Sequence, residues 1–113
     1  MKNQVTKQNQ STKNAALYIR SNHVDGLPSQ VILGTQYATT KGYNVPISQI
    51  YTDVCSANAK ERPGFTKLMR ESRKKKINTV IVTGTDRLAR TPEQLFMMNL
   101  QMMFQNINLQ VVN

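Results

Sequence analysis

Four of the six arginines in this 113-residue chain, Arg20, Arg62, Arg87 and Arg90, fall in segments suited to a reactive site. A guanidinium fork donates two hydrogen bonds to phosphate oxygens at once and stays charged at any physiological pH. Several such groups stabilise the negative charge that spreads over non-bridging oxygens during phosphoryl transfer, and could replace a metal ion there. Other chemistry-bearing side chains are scarce. There is one histidine, His23, one cysteine, Cys55, and six acids in all. That set offers no metal site, and no Gly-rich phosphate loop follows the first apolar run. Cys55 is nucleophilic by type, although a lone cysteine is more often a small packed residue, and His23 reads as a loop residue rather than a general base. Six acids are also too few to occupy these arginines in surface ion pairs.

The apolar pattern supplies elements to position these groups. Ala15-Ala16-Leu17-Tyr18-Ile19 suits a buried first strand, expected over Ala16–Arg20. Ser29 offers an N-cap for a helix running to about Lys41, with Gly42 as its stop. A second strand is expected over Ile50–Asp53, followed by a polar loop through residues 54–61. Pro63 is placed to begin a helix that buries Phe65, Leu68 and Met69 and closes on Lys74-Lys75-Lys76, cations suited to its negative end. A third strand, Val80–Thr83, a helix from Pro92 to about Asn106, and a fourth strand, Leu109–Val112, complete the chain. Strands alternating with helices predict a single α/β domain, with a mostly parallel central sheet flanked by helices. In such sheets ligands bind beyond the carboxyl ends of the strands. Arg20, Asp53 and the run Asp86-Arg87-Leu88-Ala89-Arg90 lie there, with Arg62 in the loop after the second strand. Arg70 and Arg73 share a helix with three lysines and read as a solvated face.

Fifteen lysines and arginines against six acids give a net charge of +9, a balance that favours a polyanionic partner, most commonly nucleic acid. Residues 1–13 carry Lys2, Lys7 and Lys13 with no acid and almost no apolar side chain, and are expected to be a disordered basic tail. No apolar stretch is long enough for a membrane span, and there is no apolar signal-peptide core. A single cysteine permits no intrachain disulfide, and the expected setting is cytoplasmic.

Several blocks together resemble the catalytic domain of the serine site-specific recombinases, the resolvase/invertase family. Tyr18-Ile19-Arg20-Ser21-Asn22 is similar to that family's opening Tyr-x-Arg-x-Ser. Gln30, Leu33, Tyr37, Ala38, Gly42 and Tyr43 follow its first helix. Asp53-Val54-Cys55-Ser56 resembles its Asp-x-x-Ser segment, and Arg62-Pro63-Gly64-Phe65 the Arg-Pro-Gly start of its next helix. Asp86-Arg87-Leu88-Ala89-Arg90 matches its Asp-Arg-Leu-x-Arg signature in full. The blocks span about Ala15 to Asn113 in the family's order. The resemblance implies a resolvase-like α/β domain over residues 14–113 that acts on DNA in site-specific recombination, including DNA integration, through a phosphoserine intermediate. It places Arg20, Arg62, Arg87 and Arg90 around the scissile phosphate. Asp86 would orient an arginine or take part in proton transfer, while Tyr18, Gln30, Asp53 and Ser56 support the pocket. It implies DNA as partner, a dimer or tetramer in a full-length context, and no metal or other cofactor.

The chain departs from the pattern at its centre. The serine position falls on Asn22, and an amide does not attack phosphodiesters. Moving the register by one would put Ser21 there as an alternative nucleophile, but along a strand Tyr18, Arg20 and residue 22 point to one face and residue 21 to the other. The family's glycine after Asp-x-x-Ser is Ala57 here, and a helix-core leucine is Gly34; both fit relaxed constraint. The expected reading is an impaired recombinase-type domain. The alternatives are an active enzyme using Ser21, or a non-enzymatic regulatory or assembly module that keeps the fold. The family's long dimerisation helix and DNA-binding domain are not contained in residues 14–113. The helix after Pro92 is apolar on more than one side, from Leu95 to Phe104, and its second side is expected to meet another protomer or further chain.

Overall fold

The computed structural model describes residues 13–112. Four strands, β1 (Ala15–Ser21), β2 (Ile50–Val54), β3 (Thr79–Val82) and β4 (Asn108–Val111), form one sheet in the order β2-β1-β3-β4, every pairing parallel. The helices are α1 (Leu27–Lys41), α2 (Pro63–Glu71), α3 (Thr85–Leu88) and α4 (Pro92–Phe104). The expected single α/β domain with a parallel sheet is the architecture found.

Alternation along β1 divides the core into two layers. Ala15, Leu17 and Ile19 pack on one face with Ala38, Val31 and Leu27 of α1. Ala16 and Tyr18 face the other side, among Phe65, Leu68 and Met69 of α2 and Met102, Leu95 and Met98 of α4. The central strands are buried along their whole length because both faces are covered. β1 and β3 adjoin, and the connections leaving them run to opposite edges of the sheet, to β2 and to β4. That arrangement makes the region beyond their carboxyl ends the switch point of the sheet, the place where ligands bind in folds of this kind.

Several boundaries differ from the sequence reading. α1 begins at Leu27 with Pro28 in its first turn, and Ser29 does not cap it: its hydroxyl donates back to the Gly26 carbonyl at 3.4 Å. Pro28 is the stronger start signal because it fixes φ and has no N–H to leave unsatisfied. α2 ends at Glu71 rather than at the three lysines. Residues 72–76 form turns, Lys76 adopts φ 57°, and the Ile77 N–H returns to the Ser72 carbonyl at 2.8 Å, redirecting the chain into β3. α4 stops at Phe104, two residues early, because Asn106 takes φ 61° and Ile107 N–H bonds the Met102 carbonyl at 2.9 Å. Gly42 does end α1, at φ 80°. The disordered tail expected over residues 1–13 lies outside the described residues except for Lys13. That residue is part of the fold: its ammonium sits 5.0 Å from the Tyr43 ring centroid, and its carbonyl accepts from Asn44 N–H at 2.8 Å.

Gly34 has a packing role. A Cβ there would lie 2.4 Å from Leu17 Cδ1, so the missing side chain lets α1 approach β1 with Leu17 filling the space. The leucine expected at this point of the helix and the leucine at position 17 could not both fit. The substitution is therefore matched to its surroundings, which corrects the reading of Gly34 as relaxed constraint.

Candidate active site

Arg20 ends β1 pointing to the α2 and α4 side, 6% exposed. Its guanidinium is committed to the surrounding backbone. Nε donates to the Arg87 carbonyl at 3.1 Å, Nη2 to the Asp86 carbonyl at 3.0 Å, and Nη1 to the Cys55 carbonyl at 2.7 Å. Nη1 also donates to Asn22 Oδ1 at 3.0 Å. Arg62, 7% exposed, behaves alike: it donates to the Leu88 carbonyl and, at 2.7 Å, to the Ala57 carbonyl. Two buried arginines thus clamp residues 86–88 of α3 to the loops after β1 and β2. Arg87, half-buried, lies in that segment, and Arg90, exposed, lies two residues after it. The arginines avoid ion pairs, as the shortage of acids suggested. The Lys75–Glu71 pair, 3.1 Å apart, is the single salt bridge among the described residues.

Asp53 fixes the entry to α2. Its Oδ1 accepts from Gly64 N–H at 2.7 Å, and its Oδ2 accepts from Phe65 N–H at 2.9 Å and from the Tyr18 hydroxyl at 2.7 Å. Arg62, the residue before the helix, has no capping side chain of its own, and Asp53 satisfies the helix's first free N–H groups from the neighbouring strand. Gly64 is required here because a Cβ would lie 2.2 Å from the Thr52 carbonyl oxygen. Burial, and then the hydrogen bond to Asp53, push the Tyr18 phenol well above its usual pKa, so it remains a neutral donor.

Gln30 joins the ends of β1 and β3: its Nε2 donates to the Arg20 carbonyl at 2.9 Å and its Oε1 accepts from the Thr83 hydroxyl at 3.2 Å. Ser56 is exposed in the loop beyond β2, and Asp86 is exposed in α3 beside a shallow groove lined by Arg90 and Leu95. Cys55 is half-buried and contributes its carbonyl. His23 is exposed.

Asn22 and Ser21 diverge. Asn22 is exposed, with its amide oxygen on Arg20. Ser21 is 8% exposed and turns toward the start of α1, where its Oγ accepts from His23 N–H at 3.3 Å. A Cβ on Gly26 would stand 2.2 Å from that oxygen, so the glycine makes room for the Ser21 hydroxyl. Gln94 was not singled out from the sequence, yet it ties the site together. Its Oε1 accepts from Arg90 N–H at 2.7 Å, and its Nε2 donates to the Ala57 carbonyl at 3.3 Å. The signal was present as Thr91-x-x-Gln94, a capping-box spacing, and Thr91 Oγ1 indeed accepts from Gln94 N–H at 3.1 Å.

The sequence model of the resolvase N-terminal domain matches residues 15–113. The chain belongs to this family. Its fold is also that of solved serine recombinase catalytic domains. The C-terminal catalytic domain of ISC1926 TnpA, an IS607-like serine recombinase, is 27% identical with TM-score 0.77, over 88% of this chain and 70% of that one. The N-terminal catalytic domain of TP901-1 integrase is 28% identical with TM-score 0.75, over 89% of this chain and 79% of that one. A resolvase family site-specific recombinase from Streptococcus pneumoniae, 22% identical with TM-score 0.72 over 88% and 71% of the two chains, shares the fold. No curated protein matches the sequence. Among the described residues, no helix of this resolvase-family domain is long and apolar enough to cross a membrane, and no three His, Cys, Asp or Glu side chains form a metal-binding group.

Proposed function

We propose that this chain is a serine recombinase-type catalytic domain of a cytoplasmic DNA-recombination system that grips DNA phosphodiesters at the switch point beyond β1 and β3 but does not cleave them. The observation that carries this reading is the placement of Asn22. It takes the serine position of the family pattern and lies within hydrogen-bond reach of Arg20. A hydroxyl at residue 22 would sit beside the arginine cluster; the amide cannot serve as the nucleophile of a phosphoserine intermediate. Arg20 and Arg62 spend their donors on backbone carbonyls, so their part is to hold the loop that presents Arg87 and Arg90. Arg87, half-buried, and Arg90, exposed, have no protein hydrogen-bond partner for their guanidinium groups among the described residues and are the ones left to meet a phosphate. Asp86, exposed on α3, has its Oδ1 beside Gly84 and forms no ion pair with Arg87, so a role in orienting an arginine or in proton transfer would need DNA to be bound. Ser21 is a poor substitute nucleophile: it is buried on the α1 side with its oxygen already engaged.

A second reading, that the domain serves as a non-catalytic member of a recombinase assembly, gains support from α4. Phe96, Met97, Met103 and Phe104 are 60–78% exposed there, an apolar face of the kind that meets another protein. The two readings are compatible, since a domain that grips DNA without cutting it can still occupy a subunit position in a dimer or tetramer.

Titration of a labelled duplex of arbitrary sequence at increasing salt, with the recovered DNA resolved on a denaturing gel, tests the first reading. Weak binding with a steep salt dependence is expected, diminished in Arg87→Gln and Arg90→Gln, with every strand recovered intact. Strand nicking by the wild-type chain, or binding indifferent to both arginines, would contradict it.

A further inference from the structure

More than half of the chain's cationic side chains fall in one segment. Residues 60–76 hold eight of the chain's 15 lysines and arginines and only two of its six acids. The other long helices are nearly bare of charge: α1 carries Lys41 alone and α4 carries Glu93 alone. Helix α2 buries Phe65, Leu68 and Met69, which turns Lys67, Arg70 and, one turn on, Lys74 outward. Their spacing of three and four residues puts them in a line along one helix face. The Lys75 N–H to Glu71 carbonyl bond, 2.9 Å, continues helical spacing into the turn that carries Lys74. Lys67, Arg70, Arg73 and Lys74 are all exposed, and the one acid in that turn, Glu71, is held by Tyr51 at 2.8 Å and Lys75 at 3.1 Å. At the other end the line runs into the candidate site, because Lys60, Glu61, Arg62, Thr66 and Arg70 line one groove.

We infer that the outer face of α2 is a second DNA contact, a track for the phosphate backbone of duplex DNA that leads away from the switch point. This inference rests on the DNA reading of the site. Charge complementarity selects the occupant: the exposed cations Lys67, Arg70, Arg73 and Lys74 outnumber the two acids near them, Glu61 and Glu71, and repel one another until a polyanion covers them. Lys67 to Lys74 spans about 10 Å at 1.5 Å per residue, a length over which one strand of duplex presents about three phosphates. The absence of aromatic side chains from the line favours backbone contact over the base stacking that single strands use.

The test is the salt dependence of binding to a duplex of about 30 base pairs, followed by fluorescence anisotropy, for the chain and three sets of variants. Lys67→Gln, Arg70→Gln and Lys74→Gln combined should lower the slope of log affinity against log salt by about 3, with at least about a tenfold loss of affinity at low salt. Lys67→Arg with Lys74→Arg, which keeps the charge, should retain the wild-type slope, and Lys41→Gln on the opposite face should change it little. A wild-type slope in the triple variant overturns the track, and so does equal loss in the charge-keeping pair. Arg87→Gln with Arg90→Gln separates the two claims. If these weaken binding while the triple variant does not, the track is wrong and the site reading stands. If only the triple variant weakens binding, the track stands and the site reading falls.

Discussion

The arginines at positions 20 and 62 show how residue type and residue role can part. From the sequence both read as phosphate ligands, because guanidinium groups in a loop with few acids invite that inference. In the fold they are braces, each turned toward carbonyl oxygens of residues 55, 57, 86, 87 and 88. A backbone acceptor has no side-chain signature, so nothing in the sequence marks where a buried arginine will spend its donors. Arg20→Gln should therefore cost about 2–4 kcal/mol of stability, since it strands buried carbonyls; urea denaturation checks this. A loss below about 1 kcal/mol would show that the brace is dispensable. The pair Tyr18 and Asp53 makes a prediction in pH. Because the folded state raises the phenol's pKa above its ordinary value of 10.0, folding favours the protonated form. The stabilisation by Tyr18 is then complete below about pH 10 and declines as pH rises beyond it. Tyr18→Phe should cost about 1 kcal/mol at pH 7, and the gap between the two proteins should narrow above pH 10 in denaturation curves. A gap that widens there would refute the assignment.

At the scale of elements, the strands were legible because each is a short apolar run bounded by polar loops, and all four appear within a residue of the expected limits. Ends governed by backbone conformation were not. The left-handed residues Lys76 and Asn106 stop or redirect the chain without glycine to announce them, and α3 is four residues long, too short to leave a periodic trace. The arginine-rich signature over residues 86–90 was recognised as a motif while its helical form went unseen. Gly64 is the element-scale residue with the sharpest consequence. Its hydrogen faces the Thr52 carbonyl, and that contact sets how closely α2 docks on β2 and so where Arg62 stands. Gly64→Ala should destabilise the domain by about 1–3 kcal/mol, since the obstruction is backbone rather than a yielding side chain. It should also weaken DNA binding through displacement of the clamp on residues 86–88. Thermal denaturation and anisotropy check the two effects, and wild-type values in both would show that α2 has room to spare.

At the scale of the whole molecule, the parallel sheet, the switch point between β1 and β3, and the basic outer face of α2 agree with the proposed DNA-holding role. Net charge was visible from composition, but the exposure of Lys67, Arg70 and Lys74 along one helix face required the fold, as did the exposure of the apolar face of α4. Residue 22 follows β1 and its amide oxygen lies on Arg20, while Ser21 is buried under the start of α1. On the proposed reading, an amide therefore holds the position where phosphoserine chemistry needs a hydroxyl. The direct test is covalent trapping on a suicide DNA substrate, with the domain joined to the dimerisation helix and DNA-binding domain of an active recombinase so that cleavage can proceed in a multimer. The wild-type chain should give no protein–DNA adduct. Asn22→Ser should give one through the new hydroxyl, and adding Ser21→Ala should leave it unchanged. An adduct in the wild type that Ser21→Ala abolishes would contradict the account and make this an active recombinase with its nucleophile at position 21.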